Sequence, residues 1–165
     1  MFVLGIDPGL TRCGYGGVRR HGGELVAAAA GVLRTPTDAE IPARLAELQA
    51  GVRGLLDELR PDVVAVERLF FQSNVRTAMG VGQASGVVLA EAAAAGCAVV
   101  LYTPNEVKRA VTGSGAAAKT QVQRMVQAIL RLEEPPEPPD AADALALAIT
   151  HHAVAPLAAR IEAAS

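Results

Sequence analysis

At 165 residues the chain suits one domain with a core of its own. Half of its residues are apolar, chiefly Ala and Val, which excludes a chain disordered along its length. The formal net charge of −2 hides a split: seven cations between Arg68 and Arg131 stand against Glu91 and Glu106, while Asp38 to Asp62 carries six acids against three arginines. A cationic middle of this kind can face a polyanion, although ordinary solvated helix faces give the same count.

In chain order, Phe2 to Ile6 reads as a fully buried strand. Gly14 to Arg19 and Leu25 to Leu33 read as two more, joined by an Arg20-His21-Gly22-Gly23 hairpin turn. Ile41 to Leu59 is a helix, with Leu45, Leu48, Val52, Leu55, Leu56 and Leu59 at spacings of three and four. Val63 to Val66 is a buried strand of the parallel kind. Phe70 to Asn74 is an exposed connection, and Val75 to Ala95 is a long helix with Gly80, Gly82, Ala84 and Gly86 permitting close packing. Ala98 to Tyr102 is a fifth strand, Pro104 to Val111 a short helix, and Lys119 to Leu130 another. Asp140 to Ala153 is the last helix of a domain spanning 1–154, and 155–165 is a short tail expected to fray. Strands reached through helical crossovers run parallel to the first strand, so the order predicts an α/β, five-stranded mixed sheet with helices on both faces.

No charged-then-apolar leader and no long apolar run is present, so a cytoplasmic protein without membrane contact is expected. Cys13 and Cys97 have no zinc spacing and are expected to be free thiols.

Four carboxylates break this pattern. Asp7 ends the first apolar run, Glu67 ends the run of the fourth strand, and Asp140 and Asp143 open the apolar last helix. An ionised carboxylate beside a core element is costly to desolvate without a partner, and no stretch supplies an obvious set of Arg or Lys. In open α/β sheets, sites lie beyond the carboxyl ends of strands, where Asp7 and Glu67 stand. Asp140 and Asp143, three apart on a helix, share a side. Convergence on a divalent cation with oxygen ligands, Mg²⁺ in the first place, accounts for all four together. Singly, each acid has a plainer reading, such as a helix cap for Asp140.

Gly5-Ile6-Asp7-Pro8-Gly9-Leu10-Thr11, Val66-Glu67-Arg68-Leu69-Phe70, Val107-Lys108 and Asp140-Ala141-Ala142-Asp143-Ala144-Leu145-Ala146 resemble the RuvC family of Holliday-junction resolvases, in order from Met1 to about His152. The first motif alone also opens sugar kinases and chaperone ATPases; the combination is specific. The resemblance implies a ribonuclease-H-like fold and a homodimeric endonuclease, active in recombination and repair, that nicks two opposing strands of a four-way DNA junction. It implies ligatable 5′-phosphate and 3′-hydroxyl ends, and partnership with the RuvA and RuvB branch-migration proteins. It also implies two Mg²⁺ per site, with Mn²⁺ able to substitute; Asp7 would bridge them, Glu67 would bind one, and Asp140 and Asp143 chiefly the other.

Thirteen of the fifteen cations are Arg, so Lys108 and Lys119 are exceptions in a composition that favours Arg. A compact ammonium suits a phosphate near the cut, and both match family lysines there; chance is the alternative. Phe70 matches the family residue that stacks on a base at the junction centre, although packing both Phe70 and Phe71 inward reads equally well from the residues alone. Arg68, Asn74, Arg76 and Arg109 are candidate phosphate contacts, and His151 and His152 read as structural or surface residues. The rivals are an actin-like ATPase or sugar kinase, a non-catalytic DNA-binding module, and another ribonuclease-H-like nuclease.

Overall fold

Strand alternation decides which side chains meet which helices. In the computed structural model, β1 (Phe2–Asp7), β2 (Arg12–His21), β3 (Glu24–Arg34), β4 (Val63–Glu67) and β5 (Ala98–Tyr102) form one sheet in the order β3-β2-β1-β4-β5. The structure describes residues 1–68 and 75–162, with side chains at 1–68 and 78–155. β1–β2 and β2–β3 are antiparallel; β1–β4 and β4–β5 are parallel, as the crossovers require. Gly22 and Gly23, both at positive φ, make the tight turn between β2 and β3.

Successive residues of a strand face opposite sides. Leu4 and Ile6 of β1, with Val64 and Val66 of β4, meet α1 (Ile41–Leu59) and α2 (Val75–Ala94) through Leu48, Val52, Leu56, Ala84 and Val88. Glu91 is buried between these two helices and held by Arg53 and Gln49. Val3, Val63 and Ala65 face the other way, onto α3 (Pro104–Thr112), α4 (Lys119–Leu130) and α5 (Pro139–Glu162). Each fully buried Leu or Val contributes roughly 1.5–3 kcal/mol, so the layers are held mainly by these two apolar clusters.

α5 is the buried helix of the second layer: Ala141, Ala142 and every residue from Ala144 to Ile149 are buried. Small side chains let it lie close to the sheet. A Cβ at Gly5 would overlap the carbonyl oxygen of Ala144, and one at Gly14 would overlap that of Asp140. These two glycines therefore set the height of α5 above β1 and β2. The helix continues past the predicted Ala153 boundary to Glu162. Ala153, Ala155, Ala158 and Ala159 have the highest helix propensity and carry the backbone past Pro156.

Candidate active site

The same alternation aims the strand acids. Ile6 pairs with Val66 in the parallel β1–β4 ladder, so Asp7 and Glu67 end adjacent strands. Asp7 shares parity with Val3 and Gly5, and Glu67 with Val63 and Ala65, so both project onto the α5 face. The glycine seat under α5 then brings its first two turns, with Asp140 and Asp143, over these strand ends.

The two pairs of acids have different surroundings. Burial first, then the charges of Glu67, Asp143 and Asp140, push the Asp7 carboxyl up to about 7, against a smaller opposing effect of Lys119. Burial and Asp143 likewise raise Glu67. Asp140 instead accepts hydrogen bonds from Arg12, at 2.9 Å from Nε and also from Nη2, both on Oδ2. Asp143 accepts one from Lys119 Nζ at 2.6 Å. No single stretch supplies a set of Arg or Lys, yet two cations from separate parts of the chain, Arg12 and Lys119, meet two of these acids. As placed, with two carboxylates turned to cations, no three His, Cys, Asp or Glu side chains gather as a metal cage among the described residues.

Arg12 was missed by motif reading, yet it carried a signal. It shares parity with Gly14 and Gly16, the residues of β2 that face α5. The loop before it is fixed from outside: Thr35 Oγ1 donates to Leu10 O, and Arg44 donates to Thr35 Oγ1 and Thr11 Oγ1.

Asp7, Glu67, Asp143, Lys108 and Lys119 line one cavity of about 360 Å³, floored by Val107, Val122, Ala146 and Leu147. Asp140 is not one of its walls; it faces Arg12 instead. Lys119 is the first residue of α4, where a cation opposes the helix dipole and has no local reason to be. Its hydrogen bond to Asp143, then the charges of Asp143, Asp7 and Asp140, raise its pKa and keep it protonated. Lys108 enters from α3, whose start is fixed by a capping box between Thr103 and Glu106.

The other predicted contacts are dispersed. Arg68 follows Glu67 at the carboxyl end of β4, exposed, with its backbone N–H donating to Tyr102 O at 2.7 Å. Arg109 is exposed in the last turn of α3. Phe70, Phe71 and Asn74 lie outside the described residues, as does the side chain of Arg76. His151 and His152 are buried structural residues: His151 Nδ1 shares a 2.8 Å hydrogen bond with Tyr102, and His152 meets Val18 O at 3.0 Å. Cys13 and Cys97 are free, and burial pushes the Cys13 thiol up to about 12, so it is inert.

The sequence model for crossover junction endodeoxyribonuclease RuvC matches residues 3–151. The chain belongs to the RuvC family. It is 56% identical to the RuvC of Streptomyces avermitilis, over 98% of this chain and 93% of that protein. It is 57% identical to that of Thermobifida fusca, over 92% and 84%. The structure of Thermus thermophilus RuvC in complex with a Holliday junction substrate aligns over 96% of both chains, with a TM-score of 0.90 at 41% identity. As a RuvC-family protein the chain is an endodeoxyribonuclease on a ribonuclease-H-like fold, and the kinase, ATPase and non-catalytic rivals fall away. Among the described residues no helix is long and apolar enough to cross a membrane.

Proposed function

We propose that this endonuclease resolves four-way DNA junctions as a homodimer, through paired nicks placed symmetrically in opposing strands, using the site at the ends of β1, β4 and α5. The observation that carries the reading is the cluster of Asp7, Glu67 and Asp143 around one cavity, with Asp140 within charge range of Asp7 and two lysines lining the same cavity.

The donor set suits a hard divalent cation. All four groups are carboxylates, and burial first, then the neighbouring acids, push Asp7 up to about 7, so its ionised form lacks compensation from the protein alone. Asp7, Glu67, Asp140 and Asp143 would hold one or two Mg²⁺, with Mn²⁺ able to substitute. Asp7, which feels all three other acids, would be central to holding these ions. Bound there, the cations would supply Lewis acidity at the phosphate oxygens and a readier nucleophile from water.

The chain's own residues do the rest. Lys119 and Lys108 present positive charge beside the acids, where the scissile phosphate accumulates negative charge as water adds to phosphorus and the 3′-oxygen departs. Arg68, Arg109, Asn74 and Arg76 hold flanking phosphates, and Phe70 stacks on a base at the junction centre. Val107, Val122 and Leu147 form an apolar floor beneath these charged groups, while Lys119 itself remains open to solvent. Two such sites need two chains, and α2 is the proposed contact: Gly82 and Gly86 have open space above them, and Met79 is 60% exposed. RuvA and RuvB are the proposed partners, in the cytoplasm.

The test is a gel assay on a synthetic four-way junction, a linear duplex and an RNA–DNA hybrid, each with Mg²⁺ or EDTA. Paired symmetric nicks in the junction alone, abolished by EDTA, are expected. Preferential cutting of the hybrid would instead support a different nuclease of this fold.

A further inference from the structure

Two acids of the site lean on protein cations, and the two contacts differ in kind. Lys119 is a single ammonium on Asp143, at the wall of the cavity. Arg12 is a planar fork that puts both Nε and Nη2 on the same oxygen, Oδ2 of Asp140, leaving Oδ1 without a contact from the fork. The backbone from which the fork reaches is held in place. Arg12 is the first residue of β2, and the preceding loop is fixed by Thr35 to Leu10 O and by Arg44 to Thr11. Asp140 is equally constrained, since Gly14 lets its backbone touch β2. The backbones of both partners are thus fixed relative to each other.

We propose that Arg12 is a positioning residue of the nuclease site: it holds Oδ2 of Asp140, limits that carboxylate to one oxygen for a divalent cation, and lowers the affinity of the site for that cation. The inference rests on the reading of Asp140 as a cation ligand. A fixed positive charge on a ligand competes with the incoming ion, so the protein gives up binding strength at Asp140. In return the carboxylate is aimed before the ion arrives, and the geometry needed for cutting is kept. A Lys in place of Arg12 would keep the charge and lose the fork.

Mn²⁺ titration by calorimetry and single-turnover junction cleavage at saturating Mn²⁺ separate these effects, with wild type, Arg12→Gln, Arg12→Lys and Asp140→Asn compared. Arg12→Gln is expected to bind Mn²⁺ about threefold or more tighter, because the competing charge is gone. It is expected to cut about tenfold or more slower at saturation, because Asp140 is no longer aimed. Arg12→Lys is expected to keep Mn²⁺ affinity within about twofold and still to cut more slowly than wild type. Equal or weaker Mn²⁺ binding by Arg12→Gln overturns the competition with the cation, and wild-type cutting by Arg12→Gln overturns the positioning role. A thermal melt of each variant distinguishes slow cutting by an unfolded Arg12→Gln from loss of aim, and slow cutting by a folded Arg12→Lys with wild-type Mn²⁺ affinity isolates the fork. If Asp140→Asn binds Mn²⁺ and cuts like wild type, it is the ligand reading of Asp140 that fails.

Discussion

The acids at the strand ends and the acids on α5 share a site but not a condition. Asp7 and Glu67 are fixed by the sheet, desolvated, and raised in pKa by burial and by their neighbours. Asp140 and Asp143 lie on a helix end, half-buried, and each is met by a basic side chain. The difference teaches where the site is incomplete. The helix acids are each hydrogen-bonded to a cation of the chain, whereas the strand acids have no such partner and feel Lys119 only as a smaller opposing charge, so the proposed cation would act most strongly there.

The largest expected effect breaks the comparison at its strand side. Asp7→Asn and Glu67→Gln should each lower junction cutting by about 10³-fold or more while leaving junction binding equal or stronger, since removing negative charge does not weaken affinity for DNA. Asp140→Asn and Asp143→Asn should also abolish cutting. A quenched cleavage course beside a gel-shift titration separates rate from affinity, and any of the four that cuts at the wild-type rate is not part of the site.

A smaller effect is expected for the two lysines of the cavity. Lys108→Ala and Lys119→Ala should slow cutting by about 100-fold with little loss of junction affinity, because local charge at the reacting phosphate acts mainly in the transition state. If affinity falls in step with rate in the same two assays, the lysine is an ordinary phosphate anchor.

The smallest effect concerns the junction centre. Phe70→Ala should impair cutting of a fully paired junction by about tenfold, and that of a junction opened by mismatches less, because the mismatch already removes part of the unstacking cost. Parallel cleavage assays read this, with a melt to show that the fold survives. Equal loss on both junctions, or a large drop in melting temperature, assigns Phe70 to packing.

Much of this was legible in the chain, for identifiable reasons. Continuous apolar runs such as Phe2 to Ile6 and Val63 to Val66 placed both strand acids at carboxyl ends, and strand parity sends both to the α5 face. The spacing of Asp140 and Asp143 put them on one side of a helix, but not their different partners. Those come from Arg12, 128 residues before Asp140, and Lys119, 24 before Asp143, and no local pattern encodes such pairings. The height of α5 was also hidden, since Gly5 and Gly14 look like ordinary strand glycines until the backbone above them is seen. The helix end moved from Ala153 to Glu162 because Pro156 reads as a stop while the alanines around it favour continuation.

The most direct measurement is the melting temperature of wild type and Asp7→Asn at pH 5 and pH 8, in EDTA and in Mn²⁺. The Asp7 carboxyl ordinarily titrates near 3.8 and in the fold near 7, so the native state holds its proton more tightly than the unfolded chain. Stability is therefore whole below the unfolded value, falls as pH rises between the two, and by pH 8 has lost a few kcal/mol. In EDTA, Asp7→Asn should melt slightly above wild type at pH 5 and several degrees above it at pH 8. Mn²⁺ at pH 8 should raise wild type by several degrees and Asp7→Asn far less. An advantage for Asp7→Asn that does not grow with pH, or an equal response of both proteins to Mn²⁺, would contradict the claim that the strand-end acids are the uncompensated half of this site.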